Sequence, residues 1–173
     1  MRTDSTPLGK FQEEFNAMFW ESSPYAWPVV GWPSDLRSYT LAQAKDYFAT
    51  YYAPNNITVG LVGNFDVAQV KAFAEKYFAR IPRGKVLPPD VVTTEMEQLA
   101  EKRMNEECDS QPQIEVRYHT VPFMNADAYA LDVLAGLLNG QTGRLNKQLV
   151  LKDQIATSAE AGPEADKWAG SFS

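Results

Sequence analysis

The chain has 173 residues, 45% of them hydrophobic, enough for one globular core or one core and part of a second. Its formal charge of -6 and pI near 4.8 argue against a nucleic-acid partner, because phosphate binding needs a basic face. No apolar run approaches the ~20 residues that span a bilayer, the start Met1-Arg2-Thr3-Asp4-Ser5 lacks the apolar stretch of a secretory signal, and one cysteine permits no internal disulfide.

In chain order, Thr6-Pro7 opens a helix, with Leu8, Phe11, Phe15 and Phe19 on one face. Residues 22–39 are rich in Pro, Trp and Ser. Their prolines predict an irregular loop, and their aromatic content predicts that it packs against something. Thr40 and Gln43 form a capping box for a second helix, whose apolar face is Leu41, Ala44, Tyr47, Phe48 and Tyr51. Ala53-Pro54-Asn55-Asn56 ends it. The β-branched run Ile57–Gly63 predicts a buried strand. Asp66 caps a third helix, along which Val67, Val70, Phe73 and Tyr77 line up.

Pro88-Pro89 marks residues 85–95 as an extended linker and the best internal boundary. The charge density of 97–107 suits an exposed helix or an edge strand. A strand is favoured, because the turn Asp109-Ser110-Gln111-Pro112 leads into a clear one. There Ile114, Val116, Tyr118 and Thr120 take one face, and Glu115, Arg117 and His119 the other. Asn125-Ala126-Asp127 starts a fourth helix that turns Ala128, Leu131, Leu134, Ala135 and Leu138 inward, and Asn139-Gly140 stops it. A fifth runs from Arg144 to about Leu151. Ile155–Ala161 reads as a strand, Gly162-Pro163 as a turn, and Trp168–Ser173 as a further strand.

None of the reactive groups is arranged for chemistry. The single histidine, His119, sits on the polar strand face and reads as a solvated side chain with no marked acid, base or metal partner. Cys108 lies beside Glu106, Glu107 and Asp109, and negative neighbours disfavour a thiolate. The carboxylate pairs Glu13-Glu14 and Glu106-Glu107 point in different directions and read as solvated. Gly140–Arg144 lacks the lysine and preceding strand of a phosphate loop, and reads as a plain interhelical turn. The residues thus imply an acidic α+β protein, with a two-layer, mixed or antiparallel sheet and helices packed on one face. No catalytic, metal-binding or substrate-binding residue is assigned.

Four stretches carry a resemblance. Ser23–Leu36 (SPYAWPVVGWPSDL), Tyr51–Asp66 (YYAPNNITVGLVGNFD), Glu75–Pro82 (EKYFARIP) and Gly143–Val150 (GRLNKQLV) follow each other in the order and spacing of the pitrilysin/insulinase family of zinc metallopeptidases, the inverzincins. The resemblance implies a clamshell of related α+β units around a chamber for peptides, with zinc polarising the scissile carbonyl. It implies that residues 1–36 end an upstream, zinc-bearing type of subdomain and that 37–173 belong to the following C-terminal-type subdomain, cut before its last strands and helix. The family's zinc site is H-x-x-E-H plus a distant glutamate. One histidine cannot supply two imidazole ligands, and no residue here matches the motif.

The chain therefore reads as a fragment of a metalloendopeptidase that is inactive alone, with zinc expected only in an active full-length parent. The alternative is a non-catalytic, peptide-binding half or subunit of the same family. Expected partners are the remaining family domains or a partner subunit, and a peptide substrate in the parent. An incomplete sheet at 155–173 would add self-association through a bare edge. The resemblance leaves the compartment open between bacterial periplasm and cytoplasm.

Overall fold

The computed structural model describes residues 6–173. They form two compact units, residues 6–28 with 93–173, and residues 29–92. The edge between Val92 and Thr93 falls inside the linker expected at 85–95.

The first unit holds α1 (Gly9–Phe19), β1 (Tyr118–Thr120), a later helix (Asp127–Leu138), β2 (Pro163–Ala165) and β3 (Gly170–Phe172). The apolar spacing of α1 does what it predicts: Phe15 and Phe19 are buried, and Leu8 and Phe11 are half-buried on the same face. The strands make an antiparallel sheet in the order β1-β3-β2. His119 lies opposite Ser171, which lies opposite Glu164. Gly170 is required at the centre. A Cβ there would meet the Thr120 Oγ1 at 2.8 Å and the Glu164 carbonyl at 2.9 Å, one from each flanking strand. Pro163 has no N–H to donate and sits on an edge strand, where that loss is tolerated. Helices plus a small antiparallel sheet make the unit α+β, as the sequence implies.

Several strands differ from expectation. Residues 155–161 form no ladder, and pairing starts instead at Pro163, where a turn was expected. At the two ends of this run the backbone bonds elsewhere: the Ile155 N–H bonds the Leu149 carbonyl at 3.0 Å, and Asn139, just past the Asp127–Leu138 helix, accepts from the Ala161 N–H at 2.8 Å and donates to the Ala161 carbonyl at 2.5 Å. The reversal falls at Asp166–Ala169, where the Asp166 N–H bonds the Ala169 carbonyl at 2.9 Å. β3, expected to present a bare edge, is the central strand and is paired on both sides. That removes the argument for self-association through it. Residues 97–107 also form no ladder, and within them Lys102 bonds back to the Met18 carbonyl of α1. Between Asn146 and Lys152 the expected α-helix widens to a π-helix. The Gln148–Asp153 side-chain bond of 2.7 Å and the Asp153 N–H to Gln148 carbonyl bond of 2.8 Å share that five-residue spacing. The preceding Gly140–Arg144 segment is the plain turn expected, with Gly140 at φ +78° and the Gly143 N–H on the Gly140 carbonyl.

The second unit holds α2 (Pro33–Ser38), α3 (Leu41–Tyr51) and α4 (Val67–Phe78). α2 corrects the irregular loop expected at 22–39: Pro33 takes the first helical turn, where its missing N–H costs nothing. The Thr40–Gln43 capping box and the Asp66 cap both form. The apolar face of α3 is exposed, and its aromatics stack on one another, Tyr47 on Tyr51 at 4.3 Å and Phe48 on Tyr52 at 5.1 Å. Residues 57–63 form no strand and their large side chains are exposed. They are the only strand-like run in this unit among the described residues, and a strand without a neighbour has no ladder to join.

Candidate functional site

Charged, polar and aromatic side chains of the first unit gather at the end of α1. After Phe19, the backbone N–H groups of Glu21, Ser22 and Ser23 converge on one carboxylate, that of Glu95, at 2.9, 3.2 and 2.9 Å. Ser22 fastens the same segment twice more. Its hydroxyl donates to the Thr94 carbonyl at 2.8 Å and accepts from the Met96 N–H at 3.0 Å. Lys102 donates to the Met18 carbonyl at 2.8 Å and pairs with Glu21. Residues 94–102 are thereby held along α1. Burial opposes ionisation of Glu95, but the three N–H donors outweigh it and its carboxyl titrates below the usual range.

The chain leading into β1 approaches the same helix with the face expected to be solvated. Ile114 is 95% exposed, whereas the Arg117 side chain is only 14% exposed. The Arg117 guanidinium forks onto Glu115 (3.0 and 2.6 Å), donates to Asn16 at 3.2 Å, and lies 5.0 Å from the Phe15 ring centre and 5.3 Å from that of Phe19. A planar cation can cover aromatic rings while its edge is paired, so the charged face can pack.

His119 follows on that face and is half-buried rather than freely solvated. Its ring stacks on Phe19 with centroids 3.9 Å apart at 12°, and meets the edge of Trp20 at 5.1 Å. Its Nε2 is buried with no hydrogen-bond partner. Desolvation, helped by Lys102 and opposed by Glu95, Glu21 and a backbone bond with Phe19, holds its pKa below 6.5. A cavity of about 1130 Å³ opens beside these groups, lined among others by Phe11, Met18, Glu95, Lys102, Arg117 and His119.

This is an aromatic and ion-paired cluster without an activated nucleophile. Zinc does not fit it: the one imidazole is walled by two aromatic rings, and no group of three His, Cys, Asp or Glu side chains converges among the described residues. Cys108 is free and exposed, its sulfur 3.5 Å from the Ser110 hydroxyl. Glu106 and Glu107 are exposed, and Glu14 pairs with Lys10 at 3.6 Å. Reading the sequence missed Glu95 entirely. Nothing local marks a carboxylate whose partners lie more than 70 residues upstream.

The α+β arrangement is that of solved peptidases. A crystal structure of a protease from Helicobacter pylori matches with a TM-score of 0.70 and 25% identity, over 99% of this chain and 42% of that one. A peptidase M16 inactive domain from Pseudomonas fluorescens matches in fold with a TM-score of 0.71 at 20% identity, again over 99% of this chain and 42% of that one. Residues 38–173 match the peptidase M16 inactive domain, and the chain belongs to that family. It is 26% identical over 162 residues to the zinc protease PqqE of Helicobacter pylori, a match covering 91% of this chain and 36% of that protein. The chain thus spans well under half the length of the relatives it matches. The metallopeptidase resemblance read from its motifs is correct.

Proposed function

We propose that this chain is a non-catalytic portion of a zinc metalloendopeptidase, supplying wall and support to a chamber in which peptides are cleaved by residues outside it. The observation that carries this is the match of residues 38–173 to a domain described as inactive, in a chain whose one histidine is enclosed by Phe19 and Trp20. The relative named as a zinc protease supports the parent's chemistry. Zinc would be held by ligands elsewhere, and no step of hydrolysis runs through the residues here. The start of the family match at residue 38 supports a division near 36/37, with residues 1–36 closing the zinc-bearing type of subdomain.

The test is reconstitution. The chain alone should cleave no fluorogenic peptide, and the full open reading frame carrying it should do so in a chelator-sensitive way. Chelator-sensitive turnover by the chain alone would refute the proposal. Inactivity of the full reading frame, together with activity on adding a second subunit, would move the assignment to the non-catalytic subunit of a two-chain peptidase.

A further inference from the structure

We propose that His119 is an acid-operated latch between the end of α1 and strand β1: the neutral ring seals the Phe19–Trp20 surface, and protonation drives it off that surface and loosens α1 from β1. The geometry is specific. The ring lies flat on Phe19 at 3.9 Å and against the edge of Trp20 at 5.1 Å, while β1 carries it opposite Ser171 of the central strand. A neutral imidazole can bury one bare nitrogen at modest cost. An imidazolium places an N–H at Nε2, which is buried with no hydrogen-bond partner, and puts charge on a ring packed against Phe19 and Trp20.

The charged groups around the ring do not rescue the cation. From the segment held along α1 come Glu95 and Lys102, and from the end of α1 comes Glu21. Glu95 already accepts three backbone N–H groups, and Glu21 is paired with Lys102. Arg117, on the same chain segment, is turned onto Glu115 and covers Phe15 and Phe19. From β3 come only Gly170, Ser171 and Phe172, none of them titratable. Desolvation is the largest influence on the ring and lowers its proton affinity. The folded value lies below the unfolded 6.5, so the unfolded chain takes up the proton first. Stability is therefore complete above about pH 6.5 and falls as the pH drops below it.

Because the chain has one histidine, every imidazole signal in its NMR spectrum belongs to His119. The experiment follows the ring resonance of the whole chain from pH 8 to 4.5, with amide hydrogen exchange at Trp20–Ser23 corrected for intrinsic rate. The latch predicts a titration midpoint below 6.5 and a rise in corrected exchange of about tenfold or more that tracks the same midpoint. In His119→Phe, which refills the stack without a titrating group, that rise should disappear. A midpoint at or above 6.5, or exchange indifferent to the ring's titration, would overturn the proposal. The wild-type titration decides this even if the variant does not fold.

Discussion

The Glu95 carboxylate accepts the backbone N–H of Ser23 at 2.9 Å, joining positions 72 residues apart. With the Glu21 and Ser22 N–H groups on the same carboxylate, Glu95 pins the segment that follows α1, while Lys102 donates to the Met18 carbonyl in the last turn of the helix. Glu95→Gln keeps the shape but removes the charge and replaces one acceptor oxygen with a donor. It should cost about 2 kcal/mol, read as a lower urea midpoint at unchanged slope.

The same carboxylate sets an acid limit. Its folded pKa lies below the 4.5 of the free side chain, because the three N–H donors outweigh its desolvation. Its contribution is present above about pH 4.5 and is lost as the pH falls through the lower folded value. Unfolding midpoints measured from pH 6 to 3 should drop more steeply in the wild type than in Glu95→Gln. Parallel curves would exclude this role.

Arg117→Lys keeps a cation but loses the planar fork on Glu115 and the cover over Phe15 and Phe19. It should destabilise the first unit by about 1–2 kcal/mol. If charge alone mattered, its thermal midpoint would match the wild type.

In the second unit, Thr40→Ala removes a side chain that accepts from the Gln43 N–H at 3.3 Å and belongs to a reciprocal cap. A loss of about 1 kcal/mol is expected, seen as faster hydrogen exchange in the first turn of α3. Gly84→Ala should be the harsher change. A Cβ there would overlap the Ala53 side chain and come within 3.0 Å of the Asn55 Oδ1, which accepts the Gly84 N–H. The helical signal of α3 should report that loss.

What was legible in the sequence is what depends on neighbours within a turn or two. The α1 stripe, the Thr40–Gln43 box, the Asp66 cap and the Asn139 stop can each be read from residues three or four apart. Sheet pairing was not legible. Residues 155–161 spend their end groups on Leu149 and on Asn139, some twenty positions upstream of Ala161, and it is 163–165 that join β3. The β1 face was misread for a similar reason. Alternation tells which residues share a side, and Arg117 and His119 count as polar there. Only the rings of Phe15, Phe19 and Trp20 make that side the packed one. The family was legible because motifs such as Tyr51–Asp66 and Gly143–Val150, which lie within the matched residues 38–173, are specific in composition, order and spacing.

The most direct test of the central claim, that this chain supports a zinc peptidase without holding its metal, is a zinc count by elemental mass spectrometry on the purified chain after exhaustive dialysis. A donor set with one enclosed imidazole predicts zinc far below stoichiometric. One zinc retained per chain would contradict the account.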